Sequence, residues 1–353
     1  MSRKQFNTIC AAGVLVLFLL LVIMYMHERS QRAARIEENR QTAARIEAEA
    51  AQRGEAVEEI YTSLTEALAK GPSGFVCWGD EEMDGNRNGT LPAALDRRID
   101  ETWYAPLREA FLQAGRYETR IPGIDVVNMG ASNEGMNEIM ARTGAHQMFL
   151  AENLGLQSGN DKNSQVDVTL RDEAWNILHF ADQQHASFGK TTIDDVEGRL
   201  YTGSEAYDDL HSRLAFRRSE SGEEYVIQAG EEVETAGAEA YTDYYPVMFF
   251  AERDDMSAAE AEFAGYMQEI IDRYRRRNRN VVICVTAQGS EWDQTLQEAF
   301  GDHYLRQDKS VDEMTADDYD ALADRAFEAF KAQDTFNRVN DAVEEALDGL
   351  QGQ

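Results

Sequence analysis

Cysteine and positive charge are scarce in this chain of 353 residues. Its three cysteines are too few for the disulfide framework of a small secreted domain. Its 34 lysines and arginines stand against 65 aspartates and glutamates, which gives a formal net charge of −31. Such a field repels phosphate backbones, so we expect no nucleic-acid partner. The one basic run, at residues 273–279, lies where a helix should end and complements the dipole of that helix.

The longest uncharged stretch runs from Thr8 to Met26 and is strongly apolar at residues 14–23. Its length is about that of a bilayer core, so residues 1–27 are predicted to form a transmembrane helix. A cleaved signal peptide is the competing interpretation. No site with small residues follows the run, however, and residues 25–28 are bulky and polar. We therefore predict an uncleaved signal anchor.

Residues 28–72 are rich in Ala, Glu, Arg and Gln, which favours a long helix. Its apolar residues recur at spacings of three, four and seven: Ile36, Ala43, Ile46, Ala50, Val57, Ile60, Leu64 and Leu68. The first half of this stripe is thin for a coiled coil, so the segment is predicted to be a helical stalk. Residues 71–74, with two glycines and a proline, end it.

From residue 73 to 331, apolar strands alternate with helices, which predicts a parallel sheet covered by helices. The strands are expected at Phe75–Trp78, Ile124–Asn128, Val247–Phe250 and Val281–Thr286. The helices are expected at Leu91–Ala114, Glu134–Leu150, Ser257–Arg277, Trp292–Phe300 and Thr315–Lys331. Period-two alternation within residues 155–245 predicts a small inserted β module. Residues 332–353 are predicted to form a final helix.

Four short motifs follow the predicted strands. The first is Gly79-Asp80-Glu81, and the second is Asn128-Met129-Gly130. The third is Ala251-Glu252-Arg253, and the fourth is Ser310-Val311-Asp312-Glu313 before the helix that contains Tyr319. Over roughly residues 74–331, this set resembles the SGNH/GDSL hydrolases, which are serine esterases and acetylhydrolases. The resemblance implies a flavodoxin-like three-layer α/β fold, with the β module as an insert.

The side chains that would carry hydrolysis in that family are replaced here. The resemblance puts Glu81 at the place of the nucleophilic serine and Arg253 at the place of an asparagine. It puts Ser310 and Glu313 at the places of the acid and the histidine, while Gly130 keeps its implied role in the oxyanion hole. A carboxylate cannot be activated as a serine hydroxyl is. The histidines at 146, 179, 185, 211 and 303 are distant in sequence and more typical of surface or core positions.

Glu81, Arg253 and Glu313 could still form a different site at the carboxyl ends of the strands. The two glutamates could act as a glycosidase-like pair, with the arginine holding an anionic group. We favour a salt-bridge cluster in a disused pocket. The arginine would keep both carboxylates ionised and leave no proton donor.

A calcium site is a weaker hypothesis for the loop after the first strand. Asp84, Asn86 and Asn88 alternate like the ligands in the first half of an EF-hand loop, and Gly89 follows them. The twelfth position of that loop would be Leu95 in place of a bidentate glutamate. A plain polar loop is therefore favoured, and no cofactor or metal is predicted.

Together these features predict a membrane-anchored pseudo-esterase of the cell envelope that binds or scaffolds and does not catalyse. The resemblance implies an extracellular domain, although the arginines after the apolar run alone would favour a cytoplasmic one. Its partner would be a cell-wall glycan or a membrane acyltransferase, by analogy of fold. The alternatives are an active hydrolase using Glu81 and Glu313, and a structural protein whose stalk oligomerises.

Overall fold

The structure is a computed structural model. It describes residues 3–80, 83, 89–117, 123–181, 188–206, 212–237, 241, 243–250, 265, 282–286, 290–309, 313–332 and 334–352. Within these residues the helices are α1 (Arg3–Leu68), α2 (Leu91–Ile99), α3 (Ala105–Gln113), α4 (Met136–Thr143), α5 (Ser290–Phe300), α6 (Ala316–Lys331) and α7 (Asp334–Gln351). The helix predicted at 257–277 lies outside the described residues, except for residue 265.

Fourteen strands are assigned in the described part of the chain. The first seven are β1 (Gly74–Gly79), β2 (Asp125–Gly130), β3 (Met148–Leu150), β4 (Leu154–Leu156), β5 (Val166–Val168), β6 (Leu170–Arg171) and β7 (Thr191–Ile193). The others are β8 (Val196–Ala206), β9 (Ser212–Arg218), β10 (Tyr225–Ile227), β11 (Glu232–Thr235), β12 (Tyr244–Phe250), β13 (Val282–Thr286) and β14 (Tyr304–Gln307).

Helix α1 has 66 residues, which corresponds to a length of about 99 Å at 1.5 Å per residue. Only its last turns join the body, where Val57, Leu64 and Leu68 are buried in the main apolar core. The side chains described between residues 19 and 55 are exposed. Alanine, glutamate and arginine have high helix propensity, which favours a helical backbone over this exposed stretch.

No helix in the described part of the chain carries an apolar stretch long enough to cross a bilayer. For that part of the chain, the predicted transmembrane helix and signal anchor are therefore wrong. Most of the apolar run at residues 8–26 lies among residues whose side chains are not described.

Strands β1, β2, β12, β13 and β14 form a five-stranded parallel sheet in the order β14-β13-β12-β1-β2. Helices cover both of its faces. Phe75 and Cys77 of β1 pack in a core with α2, α3, α6 and α7. Val76 and Trp78 point to the opposite face and pack with α4 and α5. The order along the chain reverses between β1 and β12, and this is where parallel α/β sheets leave a crevice at the carboxyl ends of their strands.

The larger sheet has seven strands and is antiparallel, in the order β5-β9-β8-β7-β11-β3-β6. Its two edge strands are consecutive in the chain and are separated by Thr169 alone, so the sheet nearly closes on itself. Phe216, Ile193, Leu150 and Leu170 belong to the apolar core that it encloses. Strands β4 and β10 pair separately beside it.

The predicted fold class is therefore wrong. The largest sheet is antiparallel and nearly closed, whereas the prediction was a flavodoxin-like parallel fold carrying a small β insert and a transmembrane helix. One cause is visible at the predicted helix 134–150. Gly144 ends α4 in the left-handed conformation, with φ at 73°, as is common after the last helical residue. The residues that follow are then free to begin β3.

Candidate functional site

The structure describes only part of the site predicted from sequence. Gly130 and Glu313 are described. The other predicted site residues lie outside the described residues: Glu81, Asp84, Asn86, Asn88, Arg253 and Ser310. The proposed clustering of Glu81 with Arg253 and Glu313 is therefore untested by the geometry.

The carboxyl end of β1 is closely packed. A Cβ atom on Gly79 would lie 2.0 Å from the carbonyl oxygen of Phe249 on β12, so only glycine fits there. Gly79 also accepts a hydrogen bond from the Ala131 N–H at 3.0 Å. The next residue, Asp80, is only 2% exposed. The predicted Gly-Asp turn thus lies between the ends of β2 and β12.

Gly130 ends β2 directly beside Gly79 in the sheet register. Its N–H donates a hydrogen bond of 2.9 Å to Oδ1 of Asn128. This is the N–H that the family resemblance assigns to an oxyanion hole, where it would have to point at a substrate oxygen. In this structure the Gly130 N–H is already bonded to Asn128 and does not point at an open substrate position.

Glu313 is exposed in the short turn before α6, whereas its neighbour Met314 is fully buried. Thr315 and Asp318 form a capping box at the start of α6. A hydrogen bond from Lys309 and others from Thr315 lower the pKa of Asp318 to about 2. These contacts fix the start of the helix and leave the Glu313 carboxylate facing solvent.

The loop after β1 returns to the same edge of the sheet. Gly89, with φ at 121°, lies beside the ring of Tyr319, since a Cβ added there would be 3.9 Å from Cδ2. Thr90 then caps α2 by accepting the N–H of Ala93 at 3.1 Å. The structure therefore brings the end of this loop and the start of α6 together.

The sequence interpretation missed a buried ion pair between Arg142 of α4 and Glu134, which lies just before the helix begins. Arg142 donates two hydrogen bonds to the carboxylate of Glu134, and both side chains are 0% exposed. The guanidinium also lies 4.5 Å from the centre of the Phe188 ring. Glu134 accepts the N–H of Ala181 at 2.9 Å. This pair therefore links α4 to the segment that packs against the antiparallel sheet.

Glu138 lies in the first turn of α4, between Glu134 and Arg142 in the sequence. Its Oε1 accepts the backbone N–H of His179 at 3.1 Å. Burial raises the pKa of Glu138, and the nearby charge of Glu134 adds to the rise. The spacing of four residues between these side chains was the available signal in the sequence, although Glu134 itself precedes the helix.

A second missed feature is the turn that follows β6. Trp175 is 72% exposed and adopts φ at 70°, a left-handed conformation that is strained for a bulky residue. Buried Asp172 holds the turn by accepting the N–H and the Nδ2 of Asn176, each at 2.8 Å. The turn is thus built to keep an indole ring in water.

Arg171 covers one face of that indole ring. Its guanidinium lies 3.7 Å from the centre of the Trp175 ring and 5.0 Å from the centre of the Phe149 ring. Its Nη1 donates a hydrogen bond of 2.8 Å to the carbonyl oxygen of Asp172. Arg171 is buried itself, so it supports one face of the Trp175 ring while most of the side chain stays exposed to solvent.

A polar cavity of about 460 Å³ opens between the end of α4 and the antiparallel sheet. Its lining includes His146, Lys190, Thr192, Glu232 and Glu234. Lys190 pairs with Glu197, and Gln147 donates to Glu232 at 3.1 Å. Among the residues that the structure describes, no cluster of histidine, cysteine or carboxylate side chains could hold a metal ion.

Comparisons with known proteins do not supply a family for the chain. No family model matches it, and no match was found among the curated proteins or the solved structures. The resemblance to SGNH/GDSL hydrolases therefore stays a prediction that depends on the four motifs.

Proposed function

We propose that this protein is a binding protein that recognises a glycan through the antiparallel sheet and does not hydrolyse esters. The turn that holds Trp175 is the observation that carries the proposal. An indole ring offers a large flat apolar surface with a polar edge. The C–H groups on one face of a pyranose ring are chemically suited to stack on such a surface.

The strain in this turn supports a role in recognition. A bulky residue in the left-handed region costs about 1–2 kcal/mol. The hydrogen bonds that the backbone N–H and the side-chain amide of Asn176 donate to the Asp172 carboxylate hold the turn in this conformation. Strained residues of this kind concentrate at functional sites. A ring that is already held in place loses little further conformational entropy when a ligand stacks on it.

The end of the parallel sheet supports the absence of esterase activity. The Gly130 N–H is bonded to Asn128, and Glu313 is exposed to water. Acyl transfer of the serine-esterase type relies on a histidine base, and a glutamate stands at this position. A glycan partner is also compatible with the net charge of −31, because neutral sugars are not repelled by it.

To test the proposal, calorimetry measures the binding of a tetramer of β-1,4-linked N-acetylglucosamine to the full-length protein. Wild-type protein should bind, and Trp175→Ala should weaken the affinity by at least about tenfold, the equivalent of 1.4 kcal/mol. Tyr117→Ala is the matched control, because Tyr117 is 82% exposed on the other half of the molecule. Equal affinities for the two variants, or no binding by the wild type, would refute the assignment.

The same preparation separates binding from hydrolysis. We expect no release of acid from short acyl esters and no cleavage of the tetramer over hours. Activity that disappears in Glu81→Gln or Glu313→Gln, with a bell-shaped pH profile, would instead establish the carboxylate-dependent hydrolase. A glycan partner would agree with the predicted location at the cell envelope. A membrane acyltransferase stays a predicted partner.

A further inference from the structure

The base of the stalk is a helix pair formed by α1 and α7. A Cβ on Gly71 would lie 2.7 Å from Val339, and a Cβ on Gly349 would lie 3.1 Å from Cδ1 of Ile60. Residues near the end of α1 thus meet the start of α7, and Ile60 meets the end of α7, so the two helices run antiparallel. Helix α7 covers one face of α1, on which Val57 and Leu64 are buried.

The same face continues along α1 beyond the end of α7. Counting back in sevens from Leu64 and Val57 gives Ala50 and Ala43, and counting back from Ile60 gives Arg53 and Ile46. This spacing of seven with intermediate steps of three and four is typical of a helix that packs lengthwise against another helix. Helix α7 ends at Gln351, so it covers no more than the base of this face.

The uncovered part of the face is exposed to solvent. Ile46 is 58% exposed, and Ala43 and Ala50 are exposed as well. While these apolar side chains stay in water, the protein lacks the stabilisation that their burial would give, about 25 cal/mol for each Å² of apolar surface. Most of the stability of long helices comes from packing of such a face.

Charge indicates which partner fits this face. Residues 28–56 contain six arginines and six glutamates, so their net charge is zero, although the whole chain carries −31. The acidic bodies of two copies repel each other, whereas their stalks do not. A strongly acidic or basic partner would leave half of the stalk charges unmatched. A second copy can match both signs.

We infer that the exposed part of α1 pairs lengthwise with α1 of a second copy through the face that contains Ala43, Ile46 and Ala50. This inference is independent of the proposed glycan binding. Arg53 and Asn39 interrupt the apolar face, and polar residues at such positions restrict register at a cost in affinity. The pair is therefore weaker than an uninterrupted coiled coil of the same length.

Sedimentation of the full chain in a non-ionic detergent tests the inference, because detergent prevents the apolar run at residues 8–26 from driving association. The wild type should be dimeric at concentrations of tens of micromolar. Ala50→Asp should raise the dissociation constant at least about tenfold, since it places two charges in the shared face. Ala48→Asp is the matched control. It makes the same substitution about 200° away around the helix.

A second pair of variants changes the affinity in the opposite direction. Ala50→Leu should lower the dissociation constant about tenfold, and Ala48→Leu should leave it unchanged. Near-ultraviolet circular dichroism will show whether the body keeps its packing in all four variants. A monomeric wild type, or equal effects at positions 48 and 50, would overturn the inference.

Discussion

The parallel and antiparallel sheets bury their strands in different ways. All six residues of β1 are buried, because helices cover both faces of the parallel sheet. In β11 exposed and buried residues alternate, because only one face of the antiparallel sheet meets an apolar core. The first kind of strand depends on helices for its stability, whereas the second encloses its own core. Helix α4 is shared, since Met140 packs in one core and Ala141 in the other.

The largest expected losses of stability come from truncating one buried aromatic side chain in each core. Trp78 and Phe216 are both fully buried, and Trp78→Ala or Phe216→Ala should each cost about 3–5 kcal/mol of unfolding free energy. Because α4 belongs to both cores, each variant should lower the melting temperature of both sheets together. Calorimetry with hydrogen exchange measures this, and Leu112→Ala, at a half-exposed position, should have little effect. If only the mutated half melted early, the two sheets would be independent units.

The buried ion pair allows a sharper test of how the two halves are connected. Removing one partner leaves an unpaired buried charge, so Arg142→Met or Glu134→Gln alone should destabilise the protein by about 3 kcal/mol or more. The double variant should be less destabilised than the sum of the single variants, because no charge is left unpaired. Urea unfolding of the four proteins gives the coupling energy. Simple additivity would show that the pair does not connect the sheets.

The parallel strands were readable from the sequence for a physical reason. Burial on both faces requires an unbroken apolar run, and such a run appears at Phe75–Trp78 and at residues 282–285. The antiparallel sheet was underestimated because several of its strands have three residues, too few to display a period of two. Its near closure depends on the two strands that flank Thr169. No local pattern indicates that they lie at opposite edges.

Helix boundaries show the same limit. One helix was predicted at 91–114, but a π turn at Asp100–Tyr104 divides it. Pro106 follows this turn and has no N–H to donate to the preceding turn. The length of the apolar stripe was right, and the local change in hydrogen bonding was not visible in it.

Within the candidate site, the sequence predicts a residue only where the backbone geometry allows a single residue type. Gly79 had to be glycine because β12 approaches it closely, and a glycine that directly follows a buried strand signals such a contact. The exposure of Trp175 was hidden, because aromatic residues are more often buried than presented to solvent. The flanking Asp172 and Asn176 were the available signal, since such side chains stabilise turns.

Substitution of Glu138 should change the stability least, and its effect is the most specific to the junction of the two sheets. Because burial raises its pKa, the folded state penalises the ionised carboxylate. Stability is therefore lost as the pH rises above the ordinary range of a glutamate and through the raised folded pKa. Glu138→Gln keeps an acceptor for the His179 N–H and removes this penalty. It should raise Tm by about 1–2 °C at pH 7 and by nothing near pH 4. Glu109→Gln, which makes the same substitution on an exposed helix face, is the matched control. A stabilisation by Glu138→Gln that persisted at pH 4 would mean that burial of the charge is not its cause.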